Sequence, residues 1–124
     1  MRPQSKLKHA ILSAITVLVL AACSGPGPGD TAEKFMTHLS KNEFTEAKQY
    51  ASESTGQMVE MIGKMSQAMG GKIEEDKDFK FELVEESVDG DKAVIKFRKK
   101  ADGKVETMNL IKVDGAWKVH EEKK

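Results

Sequence analysis

Four methionines recur at the spacing of one helical face in the segment GQMVEMIGKMSQAM: Met58, Met61, Met65 and Met69. At 100° per residue they fall, together with Ile62, within an arc of about 100°, which forms a methionine face. Thioether sulfur is a soft ligand that selects Cu(I), so copper binding is one interpretation of this face. The same spacing is typical of a helix packed on a hydrophobic core, and the pattern favours core packing over copper.

A third interpretation of the methionine face is a binding pocket. Flexible, methionine-rich faces suit adaptable apolar pockets and sites that accept several partners. The ligand would be a small apolar molecule, and neither a metal ion nor another cofactor is predicted. The predicted pocket residues are Met58, Met61, Met65, Met69, Tyr50 and Trp117.

Calcium binding is one interpretation of the acidic run EEDKD at residues 74–78. The run lacks the alternating oxygen ligands and the central glycine of a calcium loop, so a solvated connector is the favoured interpretation. The sequence also lacks a phosphate-binding glycine loop, a nucleophile elbow and zinc-ligand spacing.

The only cysteine, Cys23, follows thirteen uncharged residues, 10–22, which are preceded by Arg2, Lys6 and Lys8. A basic start, a short apolar run and small residues at its end predict a secretory signal peptide over residues 1–22. As a helix, thirteen residues would rise about 20 Å, which is short of the roughly 30 Å hydrocarbon core. A transmembrane anchor or a buried helix is therefore the less favoured alternative.

The residues Leu20, Ala21 and Ala22 before Cys23 resemble a bacterial lipobox. The resemblance implies a diacylglyceryl thioether on Cys23 and cleavage before it, which would anchor the protein to a membrane through two or three acyl chains. A free thiol or an intermolecular disulfide is the alternative. The segment 23–29, with its SGPGPG sequence, is predicted to be a flexible tether.

The charge balance bears on location and partners. Cleavage before Cys23 removes three of the 20 basic residues and none of the 20 acidic ones, which leaves a formal charge of −3. A net negative charge argues against nucleic acid as a partner.

We expect the protein on the periplasmic side of a cell membrane. Ser24 favours the outer membrane over the inner one, since aspartate at that position resembles a retention signal for the inner membrane.

The first half of the remaining chain has helical periodicity. Asp30 is expected to cap the first helix, with Glu33 completing a capping box. Ala32, Phe35, Met36 and Leu39 share one face of this helix, and Phe44, Ala47, Tyr50 and Ala51 share one face of the next. The third helix carries the methionine face and ends at the pair Gly70-Gly71.

The second half alternates apolar and polar residues with a period of two. Asp-Gly recurs at 89–90, 102–103 and 114–115, each time between two alternating runs. Asp-Gly tolerates the positive φ angles of tight hairpins, so three turns are predicted to join four strands into an antiparallel meander. The residues expected on its apolar face are Phe79, Phe81, Leu83, Ala93, Ile95, Phe97, Met108, Leu110, Trp117 and Val119.

Two stretches of the chain resemble a known family. The segment TAEKFMTHLSKNEFTEAKQYAS at 31–52 and the ending VDGAWKVHE at 113–121 are similar to small bacterial lipoproteins of the domain-of-unknown-function family 4878. This family belongs to the nuclear transport factor 2-like superfamily. The resemblance implies an α+β fold, with two to three helices packed on a curved four-stranded antiparallel sheet, cone-like as in cystatin. A single domain is expected over 30–124.

Enzymes of this superfamily place Asp, His or Tyr inside the cone as acid–base groups. The matching candidates are Tyr50, His38 and His120. Because an acid–base group needs a partner within hydrogen-bond reach and the pattern places no carboxylate inward, a non-enzymatic role is favoured. We expect a lipoprotein that binds a small apolar ligand or a protein. A small hydrolase or isomerase and an immunity or inhibitor lipoprotein are the alternatives.

Overall fold

A computed structural model describes residues 26–71 and 74–122. The predicted signal peptide, the lipobox residues 20–22 and Cys23 lie outside these ranges. Within them, no helix is both long enough and apolar enough to cross a membrane.

The structure is an α+β fold with helices first and a sheet second. The helices are α1 (Pro28–Ser40), α2 (Phe44–Lys48) and α3 (Glu53–Ala68). The strands are β1 (Glu82–Asp89), β2 (Lys92–Arg98), β3 (Glu106–Val113) and β4 (Ala116–Val119). The strands pair antiparallel in the order β1-β2-β3-β4, in an open sheet. Helix α1 packs across the sheet, α2 packs on α1, and α3 packs on α2. The predicted fold class is therefore confirmed.

Helix α1 begins earlier than predicted, within the segment expected to be a tether. Pro28 occupies the first turn after the N-cap Gly27, where its missing N–H and fixed φ suit a helix start. The backbone N–H of Gly29 donates a 2.8 Å hydrogen bond to Oε1 of Glu86 on β1. Capping by Asp30 is therefore wrong: Asp30 lies inside the first turn, and the carboxylate that bonds this helix end comes from the sheet.

Two of the three predicted hairpins are tight, but only the last has Asp-Gly as its two loop residues, since Asp89 belongs to β1. Asp114 and Gly115 both have positive φ, 50° and 82°, which fits the type I′ turn of a two-residue hairpin between β3 and β4. At the first hairpin Gly90 (φ 62°) and Asp91 form the loop. The third pair, Asp102-Gly103, lies in a longer connection between β2 and β3, where Gly103 N–H donates to the Lys100 carbonyl.

One face of the sheet and the inner sides of the helices form the core. The buried residues are Ala32, Phe35, Ala47, Ala51, Val59, Ala93, Ile95, Phe97, Met108, Leu110, Trp117 and Val119. Strand β2 alternates between exposed and buried residues, as its sequence predicts. Strand β1 differs: it starts only at Glu82, has an irregularity between Leu83 and Glu85, and leaves Leu83 exposed. Phe81, just before it, stacks on Phe97 with ring centroids 5.2 Å apart.

Candidate functional site

Helix α3 presents two different faces. Its packed face consists of small or β-branched residues, namely Thr55, Gly56, Val59, Gly63 and Ser66. The two glycines let α2 approach closely. A Cβ atom on Gly63 would lie 3.2 Å from Cβ of Phe44, and one on Gly56 would lie 3.1 Å from Cγ of Lys48. The packed face holds α3 against α2, and the methionine face points away from that contact.

The methionine face is exposed. Met58, Met61, Ile62, Met65 and Met69 retain between 37% and 62% of their accessible surface. The interpretation of this face as core packing is therefore wrong for this domain. The physical reason is that the packed face of α3, with its two glycines, allows the close approach to α2, and the methionine face does not take part in that contact.

The other two residues of the predicted pocket lie elsewhere. Trp117 is buried in the core on β4, and Tyr50 is half-buried against the core. Neither of them, and none of the four methionines, lines any of three depressions found on the described part of the chain. The structure places the four methionines on an exposed helix surface.

A groove of about 610 Å³ runs between α2 and α3, beside the packed face. Glu60 lies in it and pairs with two ammonium groups: Lys48 Nζ at 2.6 Å and Lys64 Nζ at 3.0 Å. The hydrogen bonds from Lys48 and then Lys64 lower the pKa of Glu60 from 4.5 to about 2. Glu60 therefore stays ionised at any physiological pH, and most residues that line the groove are polar or charged, unlike those of the methionine face.

Tyr50 and His38, two candidate acid–base residues, lie together. Their rings stack with centroids 5.7 Å apart, and His38 Nδ1 lies 2.9 Å from Oε1 of Glu43. Glu43 is the partner that sequence reasoning missed, although its position five residues after His38, across a helix end, could have indicated it. The side chains of His38 and Glu43 expose 26% and 43% of their accessible surface to solvent. The cluster of His38, Glu43 and Tyr50 therefore lies at the protein surface.

His120, the third candidate, joins the sheet to the start of α3. Its Nδ1 lies 2.8 Å from Oγ of Ser52, the N-cap of α3, which accepts a hydrogen bond from the N–H of Thr55. The Glu121 N–H donates to Oγ1 of Thr55 at 2.9 Å, on the same helix end. These contacts fix α3 to the end of β4. A serine–histidine pair was not predicted, because Ser52 and His120 are 68 residues apart in the chain.

Among residues 26–71 and 74–122, no group of three or more His, Cys, Asp or Glu side chains is arranged to hold a metal ion. No curated protein and no solved structure matches the chain. The family model described as "Domain of unknown function (DUF4878)" matches residues 21–120, which is most of the chain, and the protein therefore belongs to this family.

Proposed function

We propose that this protein is a membrane-anchored periplasmic lipoprotein whose domain is a non-catalytic binding module. The observation that carries the proposal is the methionine face: five large apolar side chains lie exposed on one side of α3. The largest apolar patch on a protein surface is often a functional interaction site. The binding surface in this proposal is the methionine face.

The anchor in this proposal is a lipid on Cys23. The LAAC sequence supports it. Pro28, where α1 begins, is five residues after Cys23. Five residues span at most about 17 Å when fully extended. Lipidation of Cys23 would thus hold the domain close to the bilayer, and Ser24 favours the outer membrane.

The surroundings of the candidate acid–base residues support a non-catalytic role. His38 and Tyr50 stack on each other at the surface, and neither is among the residues that line the three depressions described above. His120 bonds the Oγ of Ser52, which already accepts the N–H at the start of α3. A hydrolase or isomerase would instead place such a pair against a substrate cavity.

Replacing Cys23 by serine is expected to abolish the anchor, because a hydroxyl is not alkylated by the lipid donor that modifies the thiol. Labelled palmitate should enter the wild-type protein and be absent from Cys23→Ser, which should leave the membrane fraction or accumulate as an uncleaved precursor. Ser24→Ala is the matched control and should remain labelled. Equal labelling and fractionation of wild type and Cys23→Ser would rule out the lipid anchor.

Oxidation of methionines by hydrogen peroxide in intact cells tests whether a partner covers the methionine face. Met108 is the internal standard, since it is buried in the core. If the face is a binding surface in use, Met61, Met65 and Met69 should oxidise almost as slowly as Met108, and all should oxidise alike once the protein is unfolded in urea. Oxidation of the face several-fold faster than Met108 in cells would show that it is uncovered, against the proposal.

A further inference from the structure

We infer that the occupant of the methionine face is a second copy of this chain, packed with its α3 antiparallel to the first. This inference rests on the proposed function, since it names the partner of the surface proposed there. Three properties of the face support a second copy: its area, the symmetry of its spacing, and the charges around it.

The area of the face suits a dimer. Five half-exposed large side chains form an apolar patch of roughly 500 Å², which is near the upper end for the largest patch on a monomer. Complete burial of both patches would remove roughly 1,000 Å² from water, which is the lower bound for a biological interface, and rim residues would add to it. Copies held on one membrane would also meet at a raised effective concentration, which favours a modest interface.

The spacing of four of the five residues of the face is self-complementary. Met58, Ile62, Met65 and Met69 are separated by four, three and four residues, so their pattern is the same in both chain directions, and Met61 lies outside this row at the edge of the face. In an antiparallel pair about a two-fold axis, Met58 lies opposite Met69 of the partner subunit, and Ile62 lies opposite the partner's Met65. A two-fold interface requires this property, because one patch must fit itself. The same intervals are those of the apolar seam of paired helices.

The charges on α3 favour protein over lipid as the occupant. The nearest charged side chains, Glu60 and Lys64, pair with each other at 3.0 Å on the other side of the helix. No charge therefore interrupts the face, and a second copy meets no like charge across the axis. Helices that lie on anionic bilayers flank their apolar side with Lys and Arg, whereas Glu53–Ala68 contains two glutamates and a single lysine.

The test uses the full-length chain in cells, as two differently tagged copies, with a photo-crosslinking residue at position 65. The control carries the same residue at Gln67, which is exposed on the opposite side of α3. We expect crosslinks between the two tagged copies from position 65 and none from position 67. Crosslinks from 65 only to a different protein, or only to lipid, would overturn the second copy and leave the face a binding surface. No product from 65 would overturn both this inference and the binding surface.

Introducing a charged side chain into the methionine face provides an independent test of pairing between two copies. Met65→Lys would place an ammonium opposite Ile62 of the partner subunit, so recovery of one tagged copy with the other should fall by at least about tenfold. Gln67→Lys makes the same charge change off the face and should leave recovery unaltered. Because Met65 is 58% exposed, Met65→Lys should melt like wild type under dilute conditions, which separates lost pairing from lost folding. Unchanged recovery with Met65→Lys would contradict the inference.

Discussion

Trp117→Ala is expected to destabilise the domain by about 3–5 kcal/mol, the usual cost of removing a large aromatic side chain from a core. Trp117 is buried on β4, a strand of only four residues, and the Nζ of Lys112 on β3 lies 5.4 Å from the centroid of its ring. The total stability of a domain is about 5–15 kcal/mol, so this variant should lose a large fraction of its stability and unfold at a clearly lower urea concentration or temperature. Urea or thermal unfolding followed by circular dichroism measures the loss.

The control for this change is Val113→Ala, in the same hairpin. Val113 is exposed and pairs with Ala116 across the Asp114-Gly115 turn. Because surface truncations usually alter stability by no more than about 0.5 kcal/mol, this variant should unfold close to wild type. If Trp117→Ala unfolded at the same urea concentration as wild type, the placement of the last strand would be wrong.

Ile95→Ala is expected to cost about 2–5 kcal/mol, since it removes a fully buried side chain and leaves a cavity. Ile95 has 0% exposure on β2, a central strand, where it is paired with Glu86 of β1 and Met108 of β3. Fluorescence of Trp117, the only tryptophan, reports the unfolding transition directly from the same core.

The comparison with Val94→Ala turns this change into a test of strand register. Val94 is the neighbour of Ile95 on the opposite face of the sheet and is 37% exposed, so its truncation should cost much less. A slip of β2 by one residue would exchange the two faces. A larger loss from Val94→Ala than from Ile95→Ala would therefore refute the register described above.

The fold was largely predictable because its signals are local. Alternation along β2 and the Asp-Gly pairs report on backbone geometry within a few residues, and the structure places tight turns at Gly90 and at Asp114-Gly115. The start of α1 was not predictable in this way. The carboxylate that bonds its N-terminus belongs to Glu86, 57 residues beyond Gly29, and nothing in the local sequence identifies that pairing.

The surroundings of the methionine face could not be predicted either, because local sequence signals do not identify long-range contacts. Helical periodicity identified which residues share a side of α3, but it does not say what lies opposite that side. The face that packs on α2 carries Gly56, Val59, Gly63 and Ser66, at intervals of three and four residues. Small residues add little to hydrophobic periodicity, so the methionines alone indicated a core. A search for small residues at helical spacing would have located the packed face.

The two edges of the open sheet differ in how they resist strand addition. At the β4 edge, the backbone of Val119 exchanges hydrogen bonds of 2.8 Å with Tyr50 and Ser52, so the segment before α3 covers that strand. The β1 edge is irregular and acidic, with Glu82, Glu85, Glu86 and Asp89 along it. Charged, irregular edges discourage edge-to-edge pairing between copies. Under the lipid anchor proposed above, molecules crowded on one membrane surface would therefore be protected from open-ended β-aggregation, and the proposed closed contact between helices would remain available to them.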